Sequence, residues 1–188
     1  NLLPDNSERR TAQKERDIRV IAGNPPYKGQ QKDAGGDAES VSYPNLDEKI
    51  RTTYAAYSDA TNKNSLYNSF VRALRWASDR LDGKGIASFV TSASYLDSSA
   101  GSGIRKVMAD DFDKIYIFNL RGDQRTKGEQ SRQEGGNIFG SGSREPIAIT
   151  VAVRLEERSE EVEIFYQDVD DYLTTDEKLR QLVQSKSV

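Results

Sequence analysis

Apolar residues in this chain gather into short runs, and the spacing within the runs changes along the sequence. Ile18–Ala22, Gly85–Thr91 (GIASFVT), Lys114–Leu120 (KIYIFNL), Ile147–Arg154 (IAITVAVR) and Val162–Tyr166 are compact and rich in β-branched and aromatic residues, which predicts five strands. The first two read as buried. Leu66, Tyr67, Phe70, Val71, Leu74, Ala77, Ser78 and Leu81 recur at helical spacing instead, predicting a helix over Ser65–Leu81 that Asp82-Gly83 stops. Shorter helical patterns cover Leu46–Tyr57, Ile104–Phe112 and Thr175–Val183, and the polar lead of residues 1–17 reads as helical from Ser7. Lys28–Tyr43 and Arg121–Ser143 have no period and read as long loops.

Early strands that alternate with helices predict a parallel sheet. The last two strands, joined by a short charged link, predict an antiparallel hairpin. The expected fold is therefore α/β, a mostly parallel sheet ending in that hairpin. With 188 residues the chain is long enough for one domain with a real core.

Composition narrows the chemistry. The chain has no cysteine and no histidine, so disulfides, a Ser-His-Asp triad, a zinc finger and a cysteine-nucleophile cytosine methyltransferase are excluded within it. No metal site is expected. There is no apolar run of the ~18 residues a transmembrane helix needs, and the N-terminal stretch NLLPDNSERR lacks a signal-peptide core. The net charge of −3 contrasts with the basic balance of a free-standing nucleic-acid binder. Either the chain does not bind DNA, or it is one part of a larger DNA-binding machine.

One stretch carries a specific chemistry. After Ile18–Ala22 comes Asn24-Pro25-Pro26-Tyr27, whose two prolines stop the strand and stiffen the turn. A plain turn is one reading. The other begins from an exocyclic amine whose lone pair is delocalised into a ring. Two fixed acceptors, the Asn24 side-chain oxygen and the Pro25 carbonyl, can draw its hydrogens out of plane and localise that lone pair. Tyr27 can stack on the planar group.

Asn-Pro-Pro-Tyr resembles the catalytic motif of amino-methyltransferases that use S-adenosyl-L-methionine, shared by adenine-N6 DNA and glutamine-N5 protein enzymes. Three longer blocks separate these. IRVIAGNPPYKGQ, YPNLDEKIRTTYAAYSDATNKNSLYNSFVRALRWASDR and FNLRGDQRTKGEQSRQEGGNIFGSGSREPIAIT together resemble the methyltransferase region of type ISP, single-chain restriction–modification enzymes, of the gamma-class N6-adenine DNA methyltransferase family. The resemblance spans almost all of residues 4–155. It implies a partial Rossmann-like methyltransferase fold, bacterial cytoplasmic origin, double-stranded DNA as partner, and neighbouring helicase-like, nuclease and target-recognition domains in a parent chain. In that family a glycine-rich cofactor loop precedes the motif by many tens of residues. Only 23 residues precede Asn24, and none forms such a loop. The resemblance thus implies the catalytic half of the domain, with most of the S-adenosylmethionine site outside these residues.

It also implies a second aromatic face from Phe139, for which a core packing role is the alternative. The charged, glycine-bearing loop offers Arg121, Arg125, Lys127 and Arg132 for contact with DNA phosphates or the surroundings of a flipped nucleotide, for which a solvated loop is the alternative. Gly101-Ser102-Gly103 reads as a plain turn opening a helix. Tyr54, Tyr57 and Tyr67 read as packing residues, and Asp47-Glu48-Lys49 and Asp176-Glu177-Lys178 as solvated helix faces. The expected organisation is a lead-in over 1–17, the catalytic half over 18–155, and a closing strand and helix over 156–188. The expected function is the catalytic part of an adenine-N6 DNA methyltransferase, inactive in isolation. A protein or RNA amino-methyltransferase, or a purely structural fragment, are the alternatives.

Overall fold

The computed structural model describes residues 4–27, 43–140 and 144–185. The expected loop at Lys28–Tyr43 lies outside these except for Tyr43. In chain order the elements are α1 (Pro4–Glu15), β1 (Val20–Gly23), α2 (Pro44–Thr52), a 3-10 turn (Asn64–Tyr67), α3 (Ser69–Arg80), β2 (Gly85–Ser92), α4 (Ser94–Asp97), α5 (Ser102–Asp111), β3 (Lys114–Arg121), α6 (Gly128–Glu134), β4 (Ile147–Arg154), β5 (Glu163–Asp168) and α7 (Thr175–Gln184). No helix among the described residues is long and apolar enough to cross a membrane.

The five strands form one sheet in the order β1-β2-β4-β3-β5. β1 runs parallel to β2, and β5 parallel to β3. β4 lies between β2 and β3 and is antiparallel to both. Four strands therefore point the same way, and their C-terminal ends share one edge of the sheet.

The expected hairpin is corrected. β4 and β5 run in opposite directions but do not pair, because β3 separates them. The reason is Asp113, at the start of β3. Its buried carboxylate accepts from the backbone N–H groups of Leu155 and Ser159, each at 2.7 Å, and from Arg158 Nε at 2.8 Å. The link after β4 is thereby wrapped over the end of β3, and Glu163 N–H donates to the Asp113 carbonyl at 2.9 Å as β5 begins. Burial pushes the Asp113 carboxyl up, but these hydrogen bonds and the Arg158 charge outweigh it and hold the group below its usual value.

Other local expectations shift for identifiable reasons. The Ser65–Leu81 helix breaks at Asn68, whose extended backbone (ψ 153°) caps α3. Tyr54 is fully buried, but α2 has already ended, so Tyr57 is not on the same face and is 56% exposed. β1 is an edge strand and not a buried one; its Val20 is 65% exposed. Helix α6 occupies part of the Arg121–Ser143 loop. Gly101 and Gly103 do open a helix. A Cβ on Gly103 would lie 1.9 Å from the Tyr54 carbonyl oxygen, so the turn presses against backbone.

The larger core packs α2, α3 and α5 on the sheet through residues such as Tyr54, Phe70, Leu74, Phe89, Ile104 and Phe112. A smaller cluster of Phe118, Leu120, Ile147 and Val169 lies toward the C-terminal ends of the strands, with Leu173 and Leu182 of the last segment against it. Tyr27 packs on both clusters.

Candidate active site at the end of the first strand

Asn24-Pro25-Pro26-Tyr27 leaves the C-terminal end of β1, the edge at which open α/β sheets bind ligands. Asn24 and Pro26 are exposed, and Pro25 and Tyr27 are half-buried. The turn folds Tyr27 back over Asn24, so that the Tyr27 hydroxyl donates to Asn24 Oδ1 at 2.8 Å. Burial pushes the Tyr27 phenol up to about 12, which keeps it protonated and a donor near neutral pH.

The chain brings Phe139 to the same place. Its ring centroid lies 6.2 Å from that of Tyr27, with the planes at 43°, and the residue is 45% exposed. An exposed aromatic held against another ring, and not sunk in the core, leaves a face for a planar ligand. Phe139 is held by Asn137, which sequence reasoning missed. Asn137 is buried; its Nδ2 donates to the carbonyls of Gly122 (3.0 Å) and Glu145 (2.8 Å), and its Oδ1 accepts from Phe139 N–H at 3.0 Å. The only sequence signal was an asparagine following two glycines.

The basic candidates are placed differently. Arg121 and Arg125 line a cleft of about 480 Å³ with Asn119, Asp123, Tyr166 and Asp168. Arg121 has a left-handed backbone (φ 54°), followed by Gly122 (φ 86°), where the β3–β4 register shifts. That conformation costs a non-glycine residue roughly 1–2 kcal/mol. The guanidinium pairs with Asp171 and lies 3.9 Å from Asp168. Arg125 bonds Asp123 at 2.9 Å and Glu145 at 3.2 Å. Arg132 lies 3.3 Å from Glu129, and Lys127 is exposed at the start of α6. Arg121, Arg125 and Arg132 thus all face carboxylates, the Arg132 pair being the most exposed of the three, and Lys127 is exposed beside them.

The two expected solvated faces hold at Glu48, Lys49, Asp176 and Glu177, which are exposed, and are corrected at Asp47 and Lys178. Asp47 accepts a bidentate pair from Arg72 at 2.7 and 2.9 Å. Lys178 is fully buried; its Nζ donates to the carbonyls of Glu134 (2.6 Å) and Leu120 (2.8 Å). Glu177 instead completes a capping box with Thr174 at the start of α7.

Comparison with known proteins agrees with the motif. The Eco57I restriction–modification methylase model matches residues 4–125. Among solved structures, a nuclease-deletion mutant of the Type ISP restriction–modification enzyme LlaGI, in complex with a DNA substrate mimic, is 46% identical with a TM-score of 0.89 over 97% of this chain. The ATP-dependent Type ISP enzyme LlaBIII, bound to DNA, is 36% identical with a TM-score of 0.90 over 100% of this chain. DrdV, in a DNA complex, is 38% identical with a TM-score of 0.85 over 95%. The chain spans 15%, 12% and 17% of those proteins, respectively. No curated protein matches it. On the match over residues 4–125 and the likeness to these Type ISP structures, the chain belongs to the Eco57I restriction–modification methylase family.

Proposed function

We propose that this chain provides the amine-binding half of the active site of a DNA adenine-N6 methyltransferase, within a larger restriction–modification enzyme. The observation that carries this reading is the meeting of Asn24 Oδ1, the Tyr27 ring and the Phe139 ring at the end of β1. An extruded adenine enters between or against the two rings. Its N6–H groups donate hydrogen bonds to the Asn24 Oδ1 and Pro25 carbonyl oxygens, which localises the lone pair on nitrogen for attack on the methyl group. An amide oxygen has two lone pairs, so Asn24 can accept from the amine while Tyr27 still donates to it. The Tyr27 hydroxyl then orients the amide, turning its oxygen and not its NH₂ toward the amine.

S-adenosyl-L-methionine would supply the methyl group. The described residues fit the amine side of that reaction. None of them before Asn24 forms a glycine-rich loop after a strand, so no residue of this chain is assigned to holding the donor. In this reading residues 1–17 lead in, 18–155 form the catalytic half, and 156–188 lead onward. Double-stranded DNA in the bacterial cytoplasm is the substrate, and helicase-like, nuclease and recognition domains are partners in the parent chain. Lys127 and Arg132 are the better placed of the four basic candidates for phosphates.

A protein or RNA amino-methyltransferase would use the same four-residue turn. The DNA complexes of the similar Type ISP enzymes support DNA as the substrate. The test uses the full-length protein, methyl-labelled S-adenosylmethionine and duplex DNA, followed by digestion to nucleosides. Label in N6-methyladenine is expected. Label in cytosine, RNA or protein glutamine, with none in adenine, would overturn the reading.

A further inference from the structure

The loop that presents Phe139 is not held by its own hydrogen bonds alone. The segment leading into α7, and α7 itself, grip it from behind. Tyr172 N–H donates to the Gln133 carbonyl at 3.2 Å, and Gly136 N–H donates to the Leu173 carbonyl at 3.1 Å. Thr175 Oγ1 donates to the Asn137 carbonyl at 3.2 Å. Lys178 Nζ reaches the carbonyls at the C-terminal ends of both α6 and β3, at Glu134 and Leu120. Contact is close enough to exclude side chains. A Cβ on Gly135 would lie 2.1 Å from the Leu173 carbonyl oxygen, and one on Gly136 would lie 2.5 Å from Thr175 Oγ1. From Asn137 the path is short: its side chain accepts the Phe139 N–H, and Phe139 faces Tyr27.

A lysine is a costly way to fill a buried site. Removing an ammonium from water is unfavourable unless its hydrogens are met, and an apolar residue would fill the volume without that cost. What an apolar residue would not do is join two carbonyls on separate elements. The orphan carbonyl at the end of a helix and the one at the end of a strand each need a donor, and one side chain serves both.

We propose that Lys178 and Thr175 are positioning residues for the aromatic pocket: α7 fixes the loop that sets Phe139 against Tyr27. The proposal rests on the reading of that pocket as the seat of a planar amine. It goes beyond that reading in assigning the pocket's shape to two α7 side chains that bond backbone carbonyls behind it.

Two variants of the full-length protein test it. Lys178→Met keeps the length and apolar stem and removes both donors. Thr175→Val keeps the shape and removes one hydroxyl, so it retains the fold even if the lysine variant does not. Amide hydrogen exchange of the Gly136 and Phe139 N–H groups reports the loop directly. It should speed up by roughly tenfold in Lys178→Met, as expected for loss of hydrogen bonds from a charged donor, with a smaller effect in Thr175→Val. Protection in β2 and β4 should be unchanged. The methylation rate should fall while the dissociation constant for DNA changes little. In a Phe139→Ala background, Lys178→Met should cost nothing further, because it acts only through that ring. Unchanged loop exchange in both variants, an equal rise across the whole sheet, or a rate loss that adds in full to Phe139→Ala would each overturn the proposal. If the unmodified protein methylates no DNA, the functional reading fails, and the exchange measurement alone still decides whether α7 holds the loop.

Discussion

The Tyr27 hydroxyl donates to Asn24 Oδ1 at 2.8 Å, a bond that closes the four-residue turn on itself. It links the two side chains to which the proposed chemistry gives different tasks, one accepting from an amine and one stacking on its ring. The bond therefore separates the effects of two substitutions at Tyr27. Tyr27→Phe keeps the ring and frees the amide to rotate; its methylation rate should fall about 3- to 10-fold, the range of one ordinary hydrogen bond. Tyr27→Ala also loses the stacking face, worth about 1–3 kcal/mol in capture of the base. Methylation rate and the fluorescence of 2-aminopurine at the target position, measured together, check the order. Equal losses in the two variants would mean that the ring is not a platform.

Asn24→Ala should act on rate and not on folding. Asn24 is exposed, so its loss creates no cavity. Removal of one fixed hydrogen-bond partner of the transition state should lower the single-turnover rate by roughly 10²–10³-fold. Thermal unfolding of the variant should fall by only a few degrees, because the loss is that of the one hydrogen bond from Tyr27, about 0.5–1.5 kcal/mol. A variant that unfolds early would show Asn24 to be a structural turn residue.

Lys178 gives stability a pH dependence of predictable sign. Burial pushes its ammonium down from 10.5 to about 8; the nearby Glu134 charge opposes this and Arg121 adds to it. Between these two values the unfolded chain holds the proton and the folded chain does not. Stability must then rise with pH across that window, by at most ~1.4 kcal/mol for each pH unit crossed. Urea unfolding of the unmodified protein and of Lys178→Met, at pH 7.5 and pH 9.5, isolates this group because other titrations cancel in the difference. The advantage of the unmodified protein should grow at the higher pH.

Gly103 and Gly128 should respond differently to alanine. At Gly103 the new methyl would collide with the Tyr54 carbonyl oxygen, 1.9 Å away, and the contact between α5 and the turn that follows α2 must open. The cost should be about 1–3 kcal/mol, as for an overpacked core. Gly128 has φ +63° with nothing within 4 Å of the added atom, so only the backbone conformation resists, at roughly 1 kcal/mol. Denaturant midpoints measure both. A Gly103→Ala midpoint no lower than that of Gly128→Ala would contradict the close approach.

Features set by neighbours in the chain were legible without the structure. Ile147–Arg154 occupies the expected strand because an unbroken run of apolar and β-branched residues has few other conformations that bury it. The prolines after β1 end it where the turn chemistry requires, and the blocks around them sufficed to identify the family. Tertiary structure alone decided what depends on residues distant in sequence. β4 and β5 have the composition of a hairpin, but the Asp113 carboxylate holds the link between them across the end of β3. Lys178 lies in a helix whose pattern is that of a solvated face. It is buried because two carbonyls from α6 and β3 converge on its position. Phe139 could equally have been a core residue; its contact with Tyr27 follows from Asn137 joining the ends of β3 and β4 behind it. Local propensity acts over a few residues, whereas strand order, burial of a charge and the meeting of two rings are properties of the packed sheet.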